Sequence, residues 1–316
     1  MTMQKRATVV SSSVATILVI VKLIVGLISG SVAVLASAID SGLDLAVSLF
    51  NYFAVSNAEK PATEKFNYGL GKIEAIAAVI EGVVITMSGL FIGYKAIEKI
   101  IHPEPLHYMG ASIGVMLLSI VMTGALVAYL NHVAKVTDNM VIKSDALHYK
   151  TDLFSNGAIL ISLLVIEFTD FYLIDAILGI GIAVYIVYSA YELIQEGVLM
   201  LLDVALDDEI VGKIVEAIKS EPKVTDYHWL KTRKAGNDYF VDVHLVFNPE
   251  MSLLEAHRIG DNVEEKIKAI DPRADWLINI HLDPYDDSQI NEEEYPQFAG
   301  NSTENEKGKE ENPAQA

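Results

Sequence analysis

The sequence predicts a membrane protein of six long helices followed by a small α/β domain. Three observations carry that prediction. Of the 316 residues, 52% are hydrophobic and the mean hydropathy is +0.34, too apolar for an ordinary soluble chain of this length. The apolar mass lies almost entirely before residue 200. Beyond it the pattern becomes the amphipathic and alternating one of a soluble domain.

A helix of about 20 mostly apolar residues crosses a bilayer. Segments at roughly 7–30, 32–57, 71–100, 110–132, 141–168 and 170–198 meet that length. The first follows directly on MTMQKRATVV without a small-residue cleavage site at the right distance, so it reads as a retained span, not a signal peptide. Lys22, inside it, reads as a snorkelling or helix-facing lysine. Ser29-Gly30-Ser31 leaves room only for a tight hairpin. The polar link Asn57 to Tyr68, with Pro61, precedes the third span. That span carries Gly89-xxx-Gly93, which lets helices approach closely. It also carries Glu74 and Glu81, and Glu81 either faces a water-filled cavity or carries a proton. His102-Pro103-Glu104-Pro105 breaks the chain before the fourth span. Six spans bring both ends to one side, with Lys5, Arg6, Lys60, Lys65, Lys72, Lys135 and Lys143. The opposite loops hold only Lys95 and Lys99, so both termini are expected in the cytoplasm, with the spans in the inner (plasma) membrane.

In the soluble part, Asp207–Glu221 places Ile210, Ile214, Val215 and Ile218 on one helical face. Val224–Lys234 and Tyr239–Phe247 alternate as strands, joined by the turn Ala235-Gly236-Asn237-Asp238. Ser252–Ile270 is a second helix with Ser252 as N-cap and Glu255 three residues on. Trp276–Leu282 alternates as a third strand. The order is α-β-β-α-β. Residues 288–316 hold seven glutamates and two lysines without apolar periodicity, the composition of a disordered acidic tail. The expected domains are 1–204 in the membrane, 205–287 in the cytoplasm and the tail 288–316.

A formal net charge of −19 argues against a nucleic-acid partner. The absence of cysteine excludes disulfides and thiolate metal sites. Two polar pairs interrupt the apolar segments: Asp40 with Asp44, and His148 with Asp152. Each is spaced i, i+4, so on a helix both members share one face. Ionisable groups at such depth mark ion pathways. Together they offer three carboxylates and an imidazole, a four-coordinate set that Zn²⁺ accepts. Protons compete for the same atoms, which is the physical core of an antiport cycle. In the soluble part, His228, His244 and His281 fall on three strands, Asp283 shares the His281 face, and His257 is on the second helix. A histidine cluster across neighbouring strands points to Zn²⁺, with room for two ions bridged by Asp283.

Asp40-xxx-Asp44, Asp145-Ala146-Leu147-His148-Tyr149-Lys150-Thr151-Asp152, Tyr68-Gly69-Leu70-Gly71-Lys72 and Asn279-Ile280-His281-Leu282-Asp283-Pro284 resemble the cation diffusion facilitator family, closest to its bacterial YiiP-type zinc/proton antiporters. The resemblance covers roughly residues 5–285. It implies a homodimer with six spans per protomer and a metallochaperone-like cytoplasmic domain. It also implies a transport site of Asp40, Asp44, His148 and Asp152, and a binuclear cytoplasmic site of His228, His244, His257, His281 and Asp283. Lys72 and Asp203 match an interlocking charge pair between the helix bundle and the soluble domain. One departure stands out. The family's additional metal site between the second and third spans falls here on Thr63, Phe66 and Leu70, which offer no useful ligand. His102, His107 and His132 match no site.

The expected function is therefore efflux of a divalent transition metal, Zn²⁺ first, from the cytoplasm in exchange for protons. Fe²⁺, Mn²⁺, Cd²⁺ and Co²⁺ are also admitted by the ligand set. A membrane-bound metal sensor without net transport is the alternative. An enzyme is disfavoured, because no free general base or nucleophile motif adjoins the metal ligands.

Overall fold

The structure is a computed structural model and describes residues 1–29, 32–101, 110–169 and 173–288. The chain divides into two compact units, Met1–Leu201 and the remainder from Leu202. The expected tail, the histidines at 102 and 107, and the hairpin tip at 30–31 lie largely or wholly outside the described residues.

Among the described residues the first unit holds six helices: α1 Met3–Ser29, α2 Val32–Ala58, α3 Ile73–Ile101, α4 Gly110–Thr137, α5 Met140–Thr169 and α6 Leu173–Leu201. Helices of 27 to 30 residues are roughly 40 Å long, enough to clear a hydrocarbon layer of about 30 Å. Among the described residues α1, α3, α4 and α6 are long and apolar enough to cross a membrane. The other two, α2 and α5, carry the acidic and histidine pairs. Hydroxyl side chains in α1 do not leave donors stranded in the apolar medium. Ser12 donates to the Thr8 carbonyl at 2.8 Å, Ser13 to Val9 at 2.7 Å and Thr16 to Ser12 at 2.7 Å, the i−4 back-bonding that keeps such residues tolerable in a spanning helix. Asn139 starts α5 by accepting from the Ile142 amide at 3.1 Å, as an N-cap does.

Gly89 has the close-approach role expected of it. A Cβ there would lie 2.8 Å from Ile186 Cγ2 and 3.0 Å from Val187 Cγ2, so α6 rides against the bare backbone of α3. The outward faces stay apolar. Ile24, Leu27, Met87, Leu90, Phe91 and Val121 are all exposed, a surface that suits lipid tails and not water.

The second unit is α7 Asp208–Lys219, β1 Asp226–Ala235, β2 Asp238–Val246, α8 Leu253–Lys268 and β3 Asp275–Asp283. The sheet order is β1-β2-β3, antiparallel between β1 and β2 and parallel between β2 and β3. Gly236 takes φ 67° in the two-residue hairpin, a conformation open to glycine at no steric cost. Ser252 caps α8 by accepting from the Glu255 amide. Both helices pack on one sheet face. Ile214 and Ile218 of α7 and Ile259, Val263 and Ile267 of α8 meet Val241, Val243 and Leu245 of β2. Alternation then sends Asp242 and His244 to the opposite, open face.

Asp238 pairs with Asp275 across the parallel ladder. Burial, with the Asp275 charge adding to it, pushes its carboxyl up to about 6. A carboxyl whose folded pKa is raised contributes stability that is lost as pH rises, here between about 4 and about 6. Asp238→Asn should therefore melt higher than the parent at pH 7 and gain nothing at pH 4. The gain should be modest, about 1 kcal/mol or less, because the side chain is half exposed. Equal melting of parent and variant at pH 7 would remove this reading.

Candidate metal centres

Spacing alone aligns the polar residues of the first unit. Ser41, Asp44, Ser48 and Asn51 follow at intervals of three and four along α2, and Asp145, His148 and Asp152 do the same along α5, so each set forms one stripe. Packing turns the stripes toward each other. His148 Nε2 lies 3.2 Å from Asp44 Oδ1 and 4.0 Å from Asp152 Oδ2. One ligand atom from each of Asp44, His148 and Asp152 falls within 4.8 Å of the others. Bonds of about 2.0 Å to a tetrahedral Zn²⁺ separate ligand atoms by roughly 3.3 Å, so small side-chain adjustments close this set on an ion. All three side chains keep partial exposure, 14%, 20% and 34% for His148, Asp44 and Asp152. Tyr149 shares a hydrogen bond with Ser48 at 2.7 Å and sets its ring edge-on to His148. That contact ties the two helices beside the ligands.

Asp40 is exposed one turn before Asp44 and is not among the three convergent residues. Lys22 is buried, and its ammonium donates to Ser41 Oγ at 2.7 Å. It faces the α2 helix, as one of the two sequence readings had it, and it stands within electrostatic reach of Asp44, Asp152 and Asp40. One turn along the stripes from His148 lies a second polar cluster of Asn51, Glu81, Ser144 and Asp145, all buried.

In the second unit strand register does the assembling. His228 pairs with His244 and His244 with His281, so the three imidazoles form one row across the sheet. Their ring centroids are 4.9 Å and 4.6 Å apart. The row depends on a β-bulge. Register shifts between His228 and Lys231, and Trp229 there has φ 54°, an extra residue of the kind that re-aims a side chain. Asp283 is the hub. Its Oδ2 lies 2.9 Å from His244 Nδ1 and 3.4 Å from His228 Nε2, and its Oδ1 lies 3.0 Å from His281 Nε2. Burial holds the His244 imidazole below its ordinary pKa against the opposing pull of Asp283, which favours the neutral form a metal needs.

Asp287 completes a convergent group with His228, His244 and Asp283, its Oδ1 3.0 Å from His228 Nε2. That distance comes without hydrogen-bond geometry, for both His228 ring nitrogens are buried with no hydrogen-bond partner. Two orphaned imidazole nitrogens beside carboxylates fit a metal ligand better than a structural histidine. Sequence reasoning missed Asp287. The available signal was the Asp286-Asp287 pair directly after the third strand, at the end of the expected 205–287 domain. His257 is exposed on α8, 3.8 Å from Asp261, and belongs to the helical layer on the other face of the sheet. Within one chain it does not join the row. His132 is exposed on α4 and is not among the convergent residues.

Thr63 and Phe66 exchange backbone hydrogen bonds at 3.1 Å, which closes the α2–α3 loop on itself. Lys72 donates to the Leu201 carbonyl at 3.3 Å at the end of α6. Asp203 accepts from Arg233 at 3.1 Å within the second unit.

Residues 8–202 match the cation efflux transmembrane domain, and residues 206–285 match the cytoplasmic domain of cation efflux proteins. The chain belongs to the cation efflux (cation diffusion facilitator) family. Among its relatives, the cation-efflux pump FieF of Klebsiella pneumoniae is 36% identical over 279 residues, covering 88% of this chain and 92% of that one. FieF of Yersinia pestis (strain Pestoides F) is 38% identical over 280 residues, covering 89% and 92%. Among solved structures, a cadmium form of a MamM CTD variant is 21% identical with a TM-score of 0.23, covering 25% of this chain and 98% of that one. This cation efflux protein is thus a multi-pass membrane protein with the cytoplasmic domain of its family, and that family is one of transporters.

Proposed function

We propose that the protein exports a divalent transition metal from the cytoplasm in exchange for protons, with Zn²⁺ the first choice. The observation that carries the proposal is the convergence of Asp44, His148 and Asp152 from facing helices within the membrane unit, with Asp40 one turn away as a further ligand. One imidazole among carboxylates favours Zn²⁺ over Mg²⁺ or Ca²⁺, which take all-oxygen shells, and admits Fe²⁺, Mn²⁺, Cd²⁺ and Co²⁺. FieF is named a cation-efflux pump, which supports the direction. The experiment is metal uptake into sealed vesicles holding the purified protein. Zn²⁺ should move down an opposing proton gradient. Metal binding without flux would instead make the protein a sensor.

The working form is a homodimer in the inner membrane with both termini cytoplasmic. It comprises a membrane domain of residues 1–204, a metal-binding domain of 205–287 and an acidic tail of 288–316. In the cytoplasmic domain His228, His244, His281 and Asp283, joined by Asp287, would hold resident Zn²⁺. Such ions supply charge that offsets repulsion between acidic copies. His257 stays a candidate for that site from outside the single-chain row. No third centre forms in the α2–α3 loop, so Thr63→Ala and Leu70→Ala should leave the metal count per chain unchanged. A lower count in either variant would overturn this. Lys72 and Asp203 are proposed to interlock the bundle with the soluble domain. Charge reversal at either should loosen the dimer and slow flux, and Lys72→Asp combined with Asp203→Lys should recover part of both. Two single reversals with normal assembly would show that something else holds the joint.

A further inference from the structure

The buried cluster beyond the transport ligands lacks a donor. Asn51 of α2 donates through Nδ2 to Glu81 Oε2 of α3 and to Asp145 Oδ1 of α5, each at 3.1 Å. Ser144 donates to the same Glu81 oxygen at 2.5 Å, and Ser11 of α1, which donates to the Thr8 carbonyl at 3.1 Å, stands beside Asp145. The exposures of Asn51, Glu81 and Asp145 are 0%, 2% and 0%. Three oxygens in this cluster have no partner: Asn51 Oδ1, Glu81 Oε1 and Asp145 Oδ2. All three are acceptors, so the missing element is a hydrogen. Two ionised carboxylates here would each cost several kcal/mol of desolvation, and the donors on both are neutral amide and hydroxyl groups. A buried carboxylate pair bridged by one amide stays in place most cheaply by holding one proton between its two members.

We infer that Glu81 and Asp145 form a proton-binding site separate from the metal ligands. The site deepens the proposed exchange and rests on that reading. The proton occupies a carboxyl oxygen of the pair and leaves the two carboxyls with a single negative charge. Titratable groups facing the pair are His148 and Tyr149 of α5 and Asp44 of α2. From α6 the neighbours beside Gly82 are apolar, Ile194 above all, and α4 meets α5 through Leu126, Val127 and Leu130. A divalent ion at Asp44, His148 and Asp152 adds positive charge one turn away. It stabilises the doubly ionised pair, so the carboxyl O–H bond breaks and the proton leaves to solvent. By linkage, a proton on the pair weakens metal binding by the same factor.

The full-length protein in detergent and in vesicles tests this. Infrared difference spectra on adding Zn²⁺ should show loss of a protonated-carboxyl C=O band. Glu81→Gln and Asp145→Asn, which keep the shape and most hydrogen bonds of the cluster, should each abolish that band while still binding Zn²⁺ at the transport centre. Glu81→Gln should release fewer protons per Zn²⁺ bound and flatten the pH dependence of Zn²⁺ affinity. A band that persists in both variants, or an unchanged proton release, would overturn the inference. Loss of a bound Zn²⁺ in Glu81→Gln would overturn it too, by making the cluster a cation site. These outcomes are separable from failure of the transport reading, which would appear as absent flux in the wild type with the band intact.

Discussion

Asp44→Ala is expected to lower proton-driven Zn²⁺ flux more than about 100-fold, beyond the 10–100-fold typical of losing a group that only supports a ligand. Asp44 supplies one of three convergent ligand atoms and is the α2 partner that meets His148 across the helix interface. Its removal opens the set and leaves the α5 pair, His148 and Asp152, with too few donors for a tetrahedral ion. Folding should survive, because the side chain is partly exposed and the Ser48–Tyr149 tie remains. The measurement is initial uptake into vesicles, with circular dichroism and oligomeric state as controls. Normal uptake by a folded Asp44→Ala protein would place the transport site elsewhere.

The second large effect is on stability. Asp283 touches all three histidines of the row, and His281 closes its outer end. With Zn²⁺ at about 100 times its dissociation constant, binding to the folded state alone is worth about 2.7 kcal/mol. For a domain of this size that is a melting shift of roughly 10–20 °C. His281→Ala with Asp283→Ala should remove most of the difference between Zn²⁺ and chelator. The same shift in that double variant would make these residues structural.

Much of this architecture is written in local pattern. Bilayer thickness sets the span length, so the six helices come within a few residues of the expected segments. Ser252 caps α8 because its hydroxyl outcompetes water for the Glu255 amide, an interaction four residues long. The three imidazoles were visible as candidates, but their alignment needs the bulge after His228, which no period predicts. Asp287 was missed because it follows the strand, where alternation no longer applies. The Glu81–Asp145 link was invisible for a different reason. It joins α2, α3 and α5 through Asn51, and sequence spacing orders residues along one helix only.

In the proposed transport centre Lys22 would set a valence. Its ammonium is set against Asp40, Asp44 and Asp152, which leaves a formal charge that one divalent ion cancels. A monovalent ion would leave the loaded centre negative, and a trivalent ion would leave it positive. Moving either across a membrane potential involves about 2.3 kcal/mol per elementary charge per 100 mV. A doubly charged ion makes the loaded centre electrically silent. On the proposed transport reading, one fixed side chain on α1 would sort ions by charge before the ligands sort them by softness.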